Sequence, residues 1–464
     1  MTQTTIPYPA SIFKGYPRQS IWDHLQTWLR FLPLLVAAAL VADLLTPFLI
    51  WKRILPGPAR FFGDLIILSM IGHCLWLMLR LDKIPSAFLL IIALSVVGGT
   101  VAWHEEQSWQ ATAWGIWLMF KYPMIGIYAY LHQGWLPDFP KRYVYFLFGL
   151  LLFETGFQGI QFILGQAPGD DLAGTFGRHG VAPLFMVIAL AACIAFGHWL
   201  ATNNWWLLTG AIILGVISSV LGEMKIFPVA VLALALICVG IQVVRNGKIG
   251  QALLIIAGLV IAAPIFLYLY NTLVADVGGT RRLEEYLDFE TTERYLQNTD
   301  LTEDGIYYFG RGFAMTYAWN AIQRDRTTLL FGYGIGARAD SSALGILGQA
   351  LIQSDYGRTT GGTSILVLLQ ELGLIGIGVL AIFVTFHSLQ LYHDVRLHTD
   401  VYAKILCYGL LLFSIMWPFW IWYTKSWGLN IVMILYWVAV GYTFRHRAHV
   451  DSPPMSPVYN GNIQ

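Results

Sequence analysis

Between positions 272 and 362 every Lys/Arg cation is an arginine: Arg281, Arg282, Arg294, Arg311, Arg324, Arg326, Arg338 and Arg358. A guanidinium is a planar fork that binds two phosphate oxygens at once, whereas an ammonium is a point charge. An arginine-lined segment beside strongly apolar sequence suits a diphosphate carried on a lipid. The same segment holds Glu284, Glu285, Glu293, Asp304 and Asp340, so pairing with its own acids is the plain expectation for most of these arginines. Arg281 and Arg282, next to Glu284 and Glu285, read as structural. Arg324 and Arg326 flank Asp325 and read as solvated. The diphosphate candidates in this segment are Arg311, Arg338 and Arg358.

Two shorter stretches add reactive groups. In Gly174-Thr175-Phe176-Gly177-Arg178-His179-Gly180, Arg178 stands where an apolar helix begins. A cation there faces the positive end of the helix dipole, which is unfavourable unless an anion is bound. His179 titrates near neutrality and suits a proton acceptor, or else anchors the helix at the interface. Glu223 and Lys225 lie in the brief break between two apolar runs. Charges at the hydrocarbon boundary are costly and often functional, which makes Glu223 a second base candidate and Lys225 a further cation for phosphate. The opposing reading is an interfacial loop whose charges reach water.

Other features carry less. Gly332-Tyr333-Gly334-Ile335-Gly336 has no strand–helix unit around it and reads as a tight turn rather than a nucleotide loop. Glu371 falls about 13 Å into an apolar run by helical rise and should face protein or a cavity. Lys121 and Glu154 are also intramembrane charges, and interfacial or paired positions suit them equally. Cys74, Cys193, Cys238 and Cys407 are scattered through apolar runs, as packing residues are. No His/Cys cluster suggests a metal, and no cofactor is expected.

The elements that must position these groups are membrane helices. The chain of 464 residues is 57% hydrophobic, 12% charged and has net charge +1, with mean hydropathy +0.60. That balance excludes an ordinary soluble domain and a nucleic-acid partner. About twelve runs reach the roughly 20 apolar residues of a span. The expected fold is therefore an all-α polytopic membrane protein with a large, mainly helical loop between spans nine and ten. The divisions are a tail at 1–30, spans one to nine over 31–271, the loop at 272–362, spans ten to twelve over 363–444, and a tail at 445–464. Within the loop, helical periodicity is expected at 281–297 and 311–325, with a short apolar helix at 342–353.

Lys14, Arg18 and Arg30, with Arg80, Lys83, Lys141, Arg142, Arg245, Lys248, Arg396, Arg445 and Arg447, share one side. By the positive-inside rule that side is cytoplasmic and the long loop is extracytoplasmic. Lys52, Arg53 and Arg60 fall on the other side and are outvoted.

With these features in place the chain resembles the O-antigen ligase and O-antigen polymerase superfamily of bacterial envelope polysaccharide assembly, which are GT-C-like membrane glycosyltransferases. The resemblance spans about 140–386. It rests on the outer loop between spans nine and ten, Gly174-Thr175-Phe176 before span six, Lys225 near the place of a family arginine, Arg311 running to the Gly332–Gly336 turn, and Leu366, Glu371, Gly373 and Gly376 in span ten. It implies an inner-membrane protein with both termini cytoplasmic. The implied reaction is metal-independent and inverting, with a polyprenyl-diphosphate-linked oligosaccharide as donor, alongside other polysaccharide assembly and export proteins. Gly362 stands where the ligases keep a histidine, which moves the expectation from ligase toward polymerase. A secondary transporter or lipid-linked glycan flippase is the alternative from another class; the absence of an internal repeat counts against it.

Overall fold

The computed structural model describes residues 33–81, 86–132, 138–177, 180–246, 249–275, 282–301, 306–341, 344–357, 359–361 and 363–450. Among the described residues, nine α-helices precede the polar segment: α1 (Leu34–Trp51), α2 (Phe62–Leu81), α3 (Ser86–His104), α4 (Trp109–Leu131), α5 (Phe139–Ile163), α6 (Val181–Thr202), α7 (Trp206–Leu221), α8 (Phe227–Asn246) and α9 (Ile249–Tyr270). Within it come α10 (Phe289–Leu296), α11 (Arg311–Ile322), α12 (Arg326–Phe331) and α13 (Gln349–Ile352). The chain closes with α14 (Ser364–Leu397), α15 (Val401–Ile415), α16 (Trp417–Tyr423) and α17 (Asn430–Val450).

Local chemistry sets the ends of several helices. Ser108 caps α4 by accepting the Ala111 N–H at 3.2 Å, and Asp400 caps α15 by accepting that of Ala403 at 2.7 Å. Met416-Trp417-Pro418 breaks one apolar run, because proline at the start of α16 cannot continue the ladder from α15. The two helices are bent by 53°. Among the described residues, five helices are long and apolar enough to cross a membrane, or six with the bent pair. Shorter apolar helices accompany them. Large apolar side chains face outward, among them Leu79 at 84% and Leu164 at 81% exposure, as a lipid-facing surface requires.

At the centre stands α6, apolar on every side and almost wholly buried, as an interior helix is. Gly197 of α6 meets the backbone of α15: a Cβ there would lie 2.7 Å from the Gly409 nitrogen. Small residues permit this close approach without a water-driven hydrophobic force. All four cysteines are buried and free.

The polar segment is mixed rather than purely helical. β1 (Thr299–Leu301) pairs antiparallel with β2 (Tyr307–Phe309), and β2 pairs in parallel with β5 (Thr359–Gly361). β3 (Asp340–Ser341) and β4 (Ile346–Leu347) form a second small ribbon. The expected apolar helix at 342–353 is corrected: among the described residues of that stretch only Gln349–Ile352 is helical, and Ile346-Leu347 is strand. Helices do form within 281–297 and 311–325. Aromatic packing of Phe309, Phe313, Tyr317 and Tyr356 seats α11 on Leu366 and Leu369 of α14.

The glycine turn after α12 pins the segment to the bundle. Gly332, Gly334 and Gly336 have φ of 72°, 87° and 91°, the left-handed region that glycine tolerates. A Cβ on Gly334 would lie 2.3 Å from the Ala102 nitrogen, and one on Gly336 2.2 Å from the Ala111 oxygen. The turn is thus wedged against α3 and α4. Gly373, at φ 60°, breaks α14 opposite Gly332.

Candidate functional site

A polar cleft of about 390 Å³ opens where α6 begins, α7 meets α8, α16 ends and the polar segment folds back. Its walls include Glu223, Lys225, Tyr295, Tyr308, Arg311 and Tyr423. Three of the sequence candidates, Glu223, Lys225 and Arg311, are brought together here from positions far apart in the chain.

The first wall is the turn after α7. Glu223 has φ 56°, a left-handed backbone that costs a non-glycine residue on the order of 1 kcal/mol. That turn brings its carboxylate to Lys225, with Oε1 2.9 Å from Nζ. Lys225 Nζ also donates to the Tyr286 hydroxyl at 2.9 Å, and Tyr270 donates to Glu223 at 3.3 Å. Burial alone would pull the Lys225 ammonium down. Its hydrogen bonds to Tyr286 and Glu223 and the Glu223 charge outweigh this and hold it above its ordinary value. Lys225 stays cationic.

The second wall is the start of α11. Parallel pairing of Phe309 with Gly361 brings Arg311 beside the start of α14. Arg311 Nε donates to the Tyr423 carbonyl at 2.9 Å and Nη1 to the Tyr295 hydroxyl at 2.7 Å. The guanidinium lies 4.2 Å from the Tyr423 ring centre. Among the described residues Arg311 forms no ion pair with a carboxylate. It is the first residue of a helix, so the dipole there disfavours a cation and favours an anion beside it. Arg294, by contrast, pairs with Glu290 at 2.8 Å, the self-pairing expected of most of these arginines.

Behind the cleft, three polar residues of α5 cradle the Gly-Thr-Phe turn. The Glu154 carboxylate accepts the Thr175 N–H at 2.8 Å and its hydroxyl at 2.6 Å. Gln161 exchanges two hydrogen bonds with Gly174, at 3.0 and 3.1 Å. Gln158 donates to the Leu172 carbonyl at 2.6 Å and accepts from the Ser218 hydroxyl of α7. The sequence reading missed this cradle. Its signal was present: Glu154, Gln158 and Gln161 recur at helical spacing on one face of an apolar helix. The tyrosines at 270, 286, 295, 308 and 423 were also missed, because nothing in their spacing sets them apart from interfacial aromatics.

The structure places Arg338 elsewhere. It is not among the residues lining the cleft. Its Nη1 donates to Gln370 at 2.8 Å, and its backbone N–H donates to Glu371 at 3.0 Å. It belongs to the junction between the glycine turn and α14. The Glu371 carboxylate also accepts the Gly336 N–H, so it faces protein and holds that turn. Lys121 pairs with Asp64 at 2.8 Å. Arg178, His179 and Arg358, like Gly362, lie outside the described residues; Val181, two positions after His179, lines the cleft.

Chemically, the cleft offers a fork-shaped cation, a second cation, a carboxylate and a ring of hydroxyls. That set can bind an anionic group, orient a hydroxyl and accept its proton. No protein-family model matches the chain, and no curated protein matches it.

Proposed function

We propose that the protein is a membrane glycosyltransferase that polymerises, or transfers, a glycan carried on a polyprenyl diphosphate. In this reading the chain crosses the bacterial inner membrane about twelve times at roughly 20 residues per span, with both termini cytoplasmic and the cleft extracytoplasmic. The observation that carries the reading is the meeting of Arg311 and Lys225 in one cleft beside Glu223. No nucleotide sugar is expected on that side, so the donor arrives on lipid.

The acceptor hydroxyl attacks the anomeric carbon from the face opposite the diphosphate. A new glycosidic C–O bond forms, the C–O bond to the diphosphate breaks, and the electron pair leaves with the lipid diphosphate. Arg311 and Lys225 stabilise the charge that gathers there. Glu223 takes the hydroxyl proton as general base, its carboxylate oriented until then by the Lys225 ammonium 2.9 Å away. Holding both chains in one cleft supplies much of the remaining rate. Polymerase is favoured over ligase because Gly362 stands where the resembled ligases carry a histidine.

The flippase alternative needs charges lining a path across the bilayer. Lys121, Glu154 and Glu371 are instead each engaged with protein partners. Reconstitution in proteoliposomes with lipid-linked repeat units separates the two. Longer glycan chains with free lipid diphosphate support the enzyme. Lipid-linked substrate that crosses the bilayer without new glycosidic bonds refutes it.

A further inference from the structure

A second polar cavity lies at the opposite end of the bundle from the cleft. The separation follows α14, which starts beside the cleft at Ser364 and carries Arg396 near its other end. The cavity holds about 750 Å³ between the far ends of α6, α8 and α14 and the start of α15. Arg396 and Lys404 stand on its wall with Tyr392 and Tyr408. Arg396 Nη2 donates to the Tyr392 hydroxyl at 2.5 Å and its guanidinium covers that ring at 4.6 Å. Among the described residues neither cation forms an ion pair with a carboxylate. Asp394 is buried and next to His393, and Asp400 is engaged in capping α15. Lys404 sits at the end of the first turn of α15, where the helix dipole disfavours a cation unless an anion is near.

A second, apolar groove of about 600 Å³ adjoins this cavity, sharing Ile241 and Tyr392 with it. Its floor follows α14 back through Leu389, Val384 and Leu380, with Leu411 and Ile415 of α15 opposite. From Tyr392 to Leu380 the helical rise is about 18 Å, enough for an acyl chain spanning one leaflet of a roughly 30 Å hydrocarbon core. A cationic cup joined to an apolar trough of that length matches a phospholipid lying along the helices.

We propose that this composite pocket binds an anionic glycerophospholipid, its headgroup phosphate between Arg396 and Lys404 and an acyl chain in the groove along α14. The site is independent of the cleft and of the reaction proposed for it. Each cation near a membrane surface contributes about 1 kcal/mol toward an anionic lipid, so removing both is expected to weaken retention roughly 30-fold.

The test is native mass spectrometry of the full chain in detergent, titrated with dioleoylphosphatidylglycerol or dioleoylphosphatidylcholine. The proposal expects a discrete phosphatidylglycerol adduct, retained well above phosphatidylcholine. Arg396→Gln with Lys404→Gln should lose it. Ala381→Trp, which fills the exposed groove without changing charge, should weaken it as well. Lys141→Gln with Arg142→Gln, which removes the same charge from residues that do not line the pocket, should retain it. Equal retention of both lipids, equal loss in the Lys141 and Arg142 control, or an undiminished adduct in the Arg396 and Lys404 variant would each overturn it.

Discussion

Lys225 and Arg311, 86 positions apart in sequence, stand 5.8 and 5.7 Å from the centre of one ring, that of Tyr295. Two cations held around a shared aromatic face are partly compensated by its quadrupole. They remain poised for an anion that could bridge them. Tyr295 itself is one of the more exposed groups of the cleft. Replacing it with leucine removes both the ring face and the hydroxyl that Arg311 uses. The expected outcome is a rise in KM for the lipid-linked donor with a smaller fall in kcat, measured by initial rates in proteoliposomes.

Arg311→Lys keeps the charge and loses the fork. Removing one preorganised donor from a developing anion costs about 10²–10³ in rate. Lysine should fall toward that range in kcat, with a modest loss of Tm because it cannot make both the Tyr423 and Tyr295 hydrogen bonds. Full activity in Arg311→Lys would show that this residue does not recognise diphosphate.

Glu223→Gln keeps the size of the side chain and removes the base. A positioned general base contributes about 10²–10⁴, so kcat should drop in that range with little change in donor KM. A variant that turns over at the wild-type rate would remove Glu223 from the chemistry.

Thr175→Val strips the hydroxyl from the buried Glu154 carboxylate. An unmade hydrogen bond to a buried acceptor costs about 1–3 kcal/mol. Thermal unfolding in detergent should show a lower Tm. Arg338→Gln should also lower Tm, by loosening the junction with Gln370, and leave donor KM where it was. A raised KM in Arg338→Gln would return that residue to the binding site.

Asp288 and Asp325 cap α10 and α12, and the N–H groups of Thr291 and Thr328 hold their carboxyls below the usual carboxylate range. A depressed carboxylate stabilises the fold above its unfolded value of about 3.9 and loses that contribution as pH falls through the folded value. Amide exchange at Thr328 should therefore be unchanged from neutrality to about pH 5 and speed up, relative to intrinsic exchange, only in stronger acid. Acceleration already near neutrality would contradict the cap.

Much of this architecture was legible because lipid demands long apolar helices, and composition reports them directly. The glycine turn was legible for a related reason: three glycines at alternate positions signal backbone that bulkier residues cannot follow. Glu223 and Lys225 could be picked out because a charge at a helix junction in apolar sequence is rare. Arg338 looked equivalent to Arg311 because nothing local tells a guanidinium in a cleft from one locked against Gln370. That difference arises from the break at Gly373 and the long-range seating of the glycine turn. The strands were missed because β1 to β5 are two or three residues long, too short for alternation to register.

The carbonyls of Tyr423 and Thr424, adjacent in the chain, hold two separate elements: Arg311 takes the first, and the Ser364 N–H takes the second at 3.0 Å. The bent end of α16 is therefore a fixed post to which one side of the cleft is tied. The opposite side is built by α10, which has no buried residue. If the cleft elongates a glycan as proposed, the product would leave past α10, which carries Tyr295 and lacks buried anchors, rather than past the tied end of α16.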